Sequence, residues 1–252
     1  MNTETTRALR MTGQRGFTLV ELMVTVAIAL FLLGGLVTIV QNVRQTYTNQ
    51  QALAQLQDQQ RFAMTVLTDA IQAAGYFPDP RVFSTAAFPA DGGNGFGAGW
   101  VFAGTHAAGV PDTLATRFWT NLGYGPILCD GTDTSLINAA NNYVIRFSVT
   151  PGNPGQLFCQ VNNNAPVALV NGVQDLQVYY GVKHDNALVD YNVDTYEQFD
   201  VLQGCGCADW GSVSSVRIVV TFTNPLANQP SQPPTITMER VIEVMARGGL
   251  HT

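Results

Sequence analysis

The sequence predicts an α+β protein, with a long N-terminal α-helix packed by its second half on a C-terminal antiparallel β-sheet domain, and the helix's first half spanning a membrane. Three observations predict it. First, Phe17 to Val40 is an apolar run whose one charged side chain is Glu21. As a helix it is long enough to cross a hydrocarbon core of about 30 Å. Second, Gln41 to Ala74 holds no proline and repeats apolar residues at helical spacing. Third, the last hundred or so residues alternate Val, Ile, Tyr and Phe with polar residues between Gly/Pro-rich turns, the period-two pattern of strands.

Taken in order, the chain opens with a polar leader, residues 1–16, carrying Arg7, Arg10 and Arg15. The break from Gly16 to Phe17 is abrupt. The apolar segment is too long for a secretory signal and lacks an A-x-A cleavage site. Three arginines before the helix, against a first basic residue at Arg44 after it, predict a cytoplasmic N-terminus and a periplasmic domain by the positive-inside rule. Glu21 costs roughly 2.5–3.5 kcal/mol on insertion scales, which marks it as functional unless it snorkels to the surface of a plain anchor.

Residues 41–76 read as an amphipathic continuation of the membrane segment 17–40, with Leu53, Leu56, Ala63, Leu67, Ala70 and Ala74 in its stripe and Gln60 as the polar exception. Gly75 and Pro78 stop it. Gly34-Gly35 either loosens the helix or is the ordinary glycine content of a membrane segment.

Residues 77–252 read as the globular domain. Phe77 to Gly125 reads as loop, and the run from Asp91 to Gly99 as an exposed glycine-rich turn followed by Trp100-Val101-Phe102, not the Lys and Ser/Thr of a phosphate cradle. Phe96, Trp100, Phe102 and Trp119 are either core or a surface for a neighbour. Strands are predicted at Tyr143 to Val149 and Gln156 to Val161, joined by a Pro-Gly-Asn-Pro-Gly turn, and at Val173 to Val182, Ser215 to Thr223 and Thr235 to Met245.

Only 12% of residues are charged, Lys183 is the single lysine, and the net charge of −6 becomes −8 once a leader of net +2 is removed (Arg7, Arg10 and Arg15 against Glu4). That balance gives no reason to expect nucleic acid. His106, His184 and His251 are scattered and no nucleophile or zinc-protease motif is present, so a structural, non-catalytic protein is expected. Cys129, Cys159, Cys205 and Cys207 all fall in the exported part, where disulfides persist. A bridge between Cys205 and Cys207 is possible but strained; the preferred pair is Cys129 with Cys159, leaving Cys205 and Cys207 to close a small loop or stay partly reduced. The C-x-C spacing is a poor match to zinc. Asp190, Asn192 and Asp194 place oxygens at alternate positions like the start of a calcium loop, but Thr195 and Val201 stand where an EF-hand needs Gly and Glu. An irregular calcium site and a solvated acidic turn both remain open, and otherwise no cofactor is expected.

Gly16-Phe17-Thr18-Leu19-Val20-Glu21 closely resembles the cleavage motif of type IV prepilins and pseudopilins. The resemblance implies a cut between Gly16 and Phe17 by prepilin peptidase, methylation of the new amine, and docking in which Glu21 faces the N-terminal amine of a neighbouring subunit. Arg44-Gln45-Thr46-Tyr47, Arg61-Phe62-Ala63, Ala73-Ala74-Gly75-Tyr76, the block Val170 to Gly181 and Val213 to Ile218 are similar to PilW-type minor pilins. Phe77-Pro78 departs from the Gly-Cys pair many relatives carry there, so the family's disulfides are not carried over. The resemblance implies a pilin-like fold and a minor pilin of the inner membrane and then the pilus. It would prime assembly or sit at the tip with other minor pilins, the major pilin and a tip protein, supporting twitching, adhesion or DNA uptake. The alternatives are a minor pseudopilin of a type II secretion system, a pilus-carried adhesin or a plain anchored domain.

Overall fold

Helix α1 (Leu19–Ala73) opens the computed structural model, which describes residues 16–79, 81–82, 84–121, 125–136, 141–152, 154–183, 193–205, 210 and 213–245. The chain divides into two units inside this helix, at Gln51 and Ala52.

In the first unit residues 16–48 are all exposed, and α1 is unbroken through Gly34-Gly35. Its threonines turn their hydroxyls back onto the helix: Thr25 donates to the Leu22 carbonyl at 2.9 Å and Thr38 to that of Gly34 at 3.0 Å. That is how a polar side chain is satisfied where no water is available.

In the second unit α1 buries Leu56, Ala63, Met64, Leu67, Ala70 and Ile71. Met64 and Ile71 widen the expected stripe, while Leu53 is only half-buried. Gly75 ends the helix with φ +77°, a conformation glycine adopts without a Cβ penalty, and its N–H donates to the Arg117 carbonyl at 2.9 Å. A short helix α2 (Ser84–Ala87) follows.

Two antiparallel sheets make up the rest, where the sequence suggested one. The first has five strands in the order β1-β2-β3-β4-β5: β1 (Phe102–Ala107), β2 (Val110–Thr120), β3 (Asn141–Thr150), β4 (Gln156–Val161) and β5 (Val167–Asn171). The second runs β7-β6-β8-β9, from β6 (Val173–Val182), β7 (Thr195–Glu197), β8 (Ser215–Thr223) and β9 (Thr235–Glu243). Helix α3 (Phe199–Cys205) lies between β7 and β8 in the chain. The β3–β4 hairpin forms around the predicted turn, with Phe147 opposite Cys159.

Register divides the first sheet into two faces. Leu114, Phe118, Ile145, Phe147, Leu157 and Cys159 face the core. On the other face stand Ala115, Arg117 and Trp119, also buried or half-buried. What covers them is the segment expected to be an exposed loop. The Arg117 guanidinium donates to the carbonyls of Trp100, Pro89, Phe88 and Gly97 at 2.6, 2.7, 3.1 and 2.9 Å, and Trp119 Nε1 donates to the Ala87 carbonyl at 2.9 Å. Phe96 and Phe102 are core residues, and Trp100 and Trp119 pack against the core half-buried. The region read as loop also contains β1 and β2. Because β2 is buried on both faces, it lacks the alternation by which a strand is recognised.

Asp112 joins the sheets: with 2% of its surface exposed, it accepts from the Val178 N–H of β6 at 2.8 Å and from His106 Nδ1 at 2.7 Å. On the second sheet Arg240 of edge strand β9 shares the register of buried Ile218 and donates to Thr68 Oγ1 of α1 at 3.2 Å. A charge on the inward face of an edge strand also opposes pairing with foreign strands.

Candidate functional site

The start of α1, where the sequence leads one to expect the docking residues, is built by local sequence. Gly16 and Phe17 precede the helix, and Phe17 is 81% exposed. Thr18 caps α1: its hydroxyl accepts the Glu21 N–H at 3.3 Å and its carbonyl the Leu22 N–H at 3.2 Å. Thr18-Leu19-Val20-Glu21 therefore has the T-x-x-E spacing of a capping box, a signal readable in the sequence but absent from the reading above. It places Glu21 in the first turn, where the partial positive charge of the helix end stabilises a carboxylate by about 0.3–1 kcal/mol. The same end repels a cation, so an amine formed at Phe17 would need a carboxylate beside it.

Behind this end stands a wall of apolar surface. Sixteen large hydrophobic side chains from Phe17 to Val40 are exposed, and the most apolar 18-residue window has mean hydropathy 2.6 with none of it buried. At 1.5–3 kcal/mol for each side chain taken out of water, covering it is worth on the order of 30 kcal/mol. Such a helix is stable only in lipid or among other helices.

The other sequence-selected residues lie in the second unit. Cys129 and Cys159 are brought together in a disulfide with Cα atoms 6.3 Å apart, tying the segment before the Thr134–Leu136 helical turn to β4. Cys205 is the last residue of α3, and Cys207 lies outside the described residues. Asp190 and Asn192 also lie outside them, whereas Asp194 is exposed and its N–H donates to the Val182 carbonyl at 3.1 Å. Among the described residues no group of three metal-ligating side chains converges. His184 and His251 fall outside the described residues, and His106 is engaged with Asp112. Burial raises the Asp112 carboxyl above the usual range, although the bonds from Val178 and His106 pull the other way. Both Asp112 oxygens are occupied inside the core, an arrangement that joins two sheets.

Sequence reasoning missed Arg117. Burial lowers its pKa to about 10, which still leaves it cationic at neutral pH, and its guanidinium carbon lies 4.7 Å from the Phe96 ring centroid and 5.3 Å from that of Phe88. No local signal identifies a buried arginine whose partners are main-chain carbonyls 17–29 residues away.

A capped, exposed apolar helix joined to an antiparallel α+β domain defines a pilin-like protein. Two family models match this chain at opposite ends: type IV pilus-assembly protein W over residues 142–245, which takes in β3 to β9, and the prokaryotic N-terminal methylation motif over residues 11–37. Both matches are consistent with a PilW-like pilin of the prepilin type, related to the type IV pilus. The two matches imply processing by prepilin peptidase and assembly with other pilus components. No curated protein matches the chain.

Proposed function

We propose that this chain is a minor pilin, a non-catalytic subunit that helps prime a type IV pilus or sits at its tip. The observation that carries this reading is the apolar first half of α1, exposed throughout and starting at a prepilin-type junction, in a chain whose residues 142–245 match a pilus-assembly family. In the precursor the helix spans the inner membrane with the leader in the cytoplasm and the domain in the periplasm. Cleavage after Gly16 leaves a cationic amine on Phe17. Buried in apolar surroundings, that amine and Glu21 are each costly alone and much less so as a pair. Glu21 of an incoming subunit therefore meets the Phe17 amine of a neighbour, and the helix leaves lipid for the filament core.

The test is processing and phenotype together. Replacing Gly16 by Leu is expected to leave the precursor mass unchanged and the N-terminus unmethylated. Deleting the gene is expected to remove surface pili and twitching while protein secretion continues. Normal processing of the Gly16→Leu variant, or loss of secretion with pili intact, overturns the assignment. The second result would indicate a type II secretion pseudopilin.

A further inference from the structure

A cleft of about 230 Å³ opens in the second unit beside α1, lined by Phe62, Val66 and Asp69 of the helix, Phe118 and Phe147 of the first sheet, and Ile127. Small-molecule sites usually measure about 300–1,000 Å³, so this one is sized for a single side chain. Its walls are mostly apolar, and two of its rim residues, Phe62 and Ile127, are 49% and 72% exposed. The rim segment is held in place: Cys129, another lining residue, is bonded to Cys159 of β4, Ile127 bridges Asp133, and Asp133 Oδ1 accepts from the Ser135 N–H at 2.9 Å.

Among the described residues that line the cleft Asp69 is the one charged side chain, and none is basic. Asp69 is exposed on its outer side, and the desolvation its carboxylate undergoes against the cleft raises its pKa. An apolar slot with aromatic walls and an uncompensated carboxylate is complementary to a group with an apolar stem and a positive head. Arginine fits best, since its guanidinium stacks on aromatic rings and can bond a carboxylate bidentately. A second copy is a poor occupant, because the processed chain carries a net charge near −8 (−6 less the leader's +2) and would repel itself.

We propose that this cleft receives a basic side chain, arginine in its best fit, from a different neighbouring subunit of the pilus, with its stem on Phe62, Phe118 and Phe147 and its charge at Asp69. This deepens the minor-pilin reading and rests on it.

The test uses the full-length protein in cells that make pili. A photo-crosslinking p-benzoylphenylalanine replaces Ile127 in one strain and Phe31, in the exposed apolar helix, in another. At position 127 the expected product is a crosslink to another pilin, with an Arg or Lys within a few residues of the joined peptide. Asp69→Asn should lower its yield about tenfold and Asp69→Glu restore most of it, with the crosslink at position 31 unchanged. Asp69 is exposed, and an unchanged melting midpoint for Asp69→Asn confirms that the fold is intact. The proposal is overturned if position 127 crosslinks to a second copy, to lipid or to nothing, or if Asp69→Asn leaves the yield unchanged. If position 31 still crosslinks to a pilin, the cleft assignment alone falls. If position 31 also captures no pilin, the minor-pilin reading falls with it.

Discussion

Replacing Arg117 by Met tests the claim that one buried cation holds the glycine-rich segment on the outer face of the first sheet. Methionine approximates the stem and fills the slot, but removes every donor. Four carbonyls, those of Phe88, Pro89, Gly97 and Trp100, then lose the guanidinium, although Phe88 and Gly97 still accept from the N–H groups of Gly99 and Trp100. Hydrogen bonds to a charged group contribute roughly 1.5–3 kcal/mol each, a gross 6–12 kcal/mol for four. Against that stands the cost of burying the guanidinium, several kcal/mol, the same desolvation that lowers its pKa to about 10. The net loss should be about 3–5 kcal/mol. For a unit of about 200 residues each kcal/mol moves the melting midpoint by roughly 2–4 °C, so a fall of about 10 °C is expected. The assay is thermal melting of the full-length protein in detergent, paired with limited proteolysis. New cleavage should appear between Gly92 and Gly99, and Trp100 should lose near-ultraviolet dichroism. Arg117→Lys should fall about halfway, because one ammonium cannot reach four separated carbonyls. A shift below 2 °C with no new cleavage would refute the reasoning.

Three further outcomes follow from the geometry. Asp112 has a folded-state pKa above its unfolded one, so the folded protein binds the proton more readily. Its charge therefore lowers stability above the raised pKa, and that penalty is relieved as pH falls through it towards 3.8. Wild type should accordingly gain stability relative to Asp112→Asn as pH drops from 7 to 4, measured as the difference between their melting midpoints; a constant difference would contradict this. Replacing Cys129 and Cys159 by Ser frees a 30-residue loop, and chain-entropy arguments give a loss of about 3.5 kcal/mol, read by denaturant unfolding with and without reductant. Gly75→Ala forces a Cβ into a positive-φ cap and should cost about 1–2 kcal/mol, seen as a lower unfolding midpoint with little change in slope.

The elements legible in advance were those whose pattern is local. The helix from Leu19 to Ala73 follows from composition and spacing, and β3, β4, β6, β8 and β9 follow from their apolar and β-branched runs between turn residues. β1 and β2 were hidden among glycines and threonines, and β2 is covered on both sides, so no polar face marks its period. The three-residue β7 is too short to show a period. The prepilin-type junction and Glu21 stood out because they sit within six consecutive residues, whereas the Thr18 cap inside them was not read.

By itself the sequence determined an apolar helix long enough to cross a membrane, with a prepilin-type junction at its start, leading into an antiparallel domain. Hydrophobic length, capping and helical period are properties of neighbouring residues and survive without a fold. Tertiary structure alone decided that a glycine-rich segment is a packed cover, that two sheets and not one are joined through Asp112, and that Asp69 lies in a cleft of side-chain size. Each depends on partners far apart in the chain: Arg117 and Phe88 are 29 residues apart, Asp112 and Val178 66, and Arg240 and Thr68 172. Burial turns those distant meetings into strong interactions by removing competing water, and burial exists only once the chain has folded.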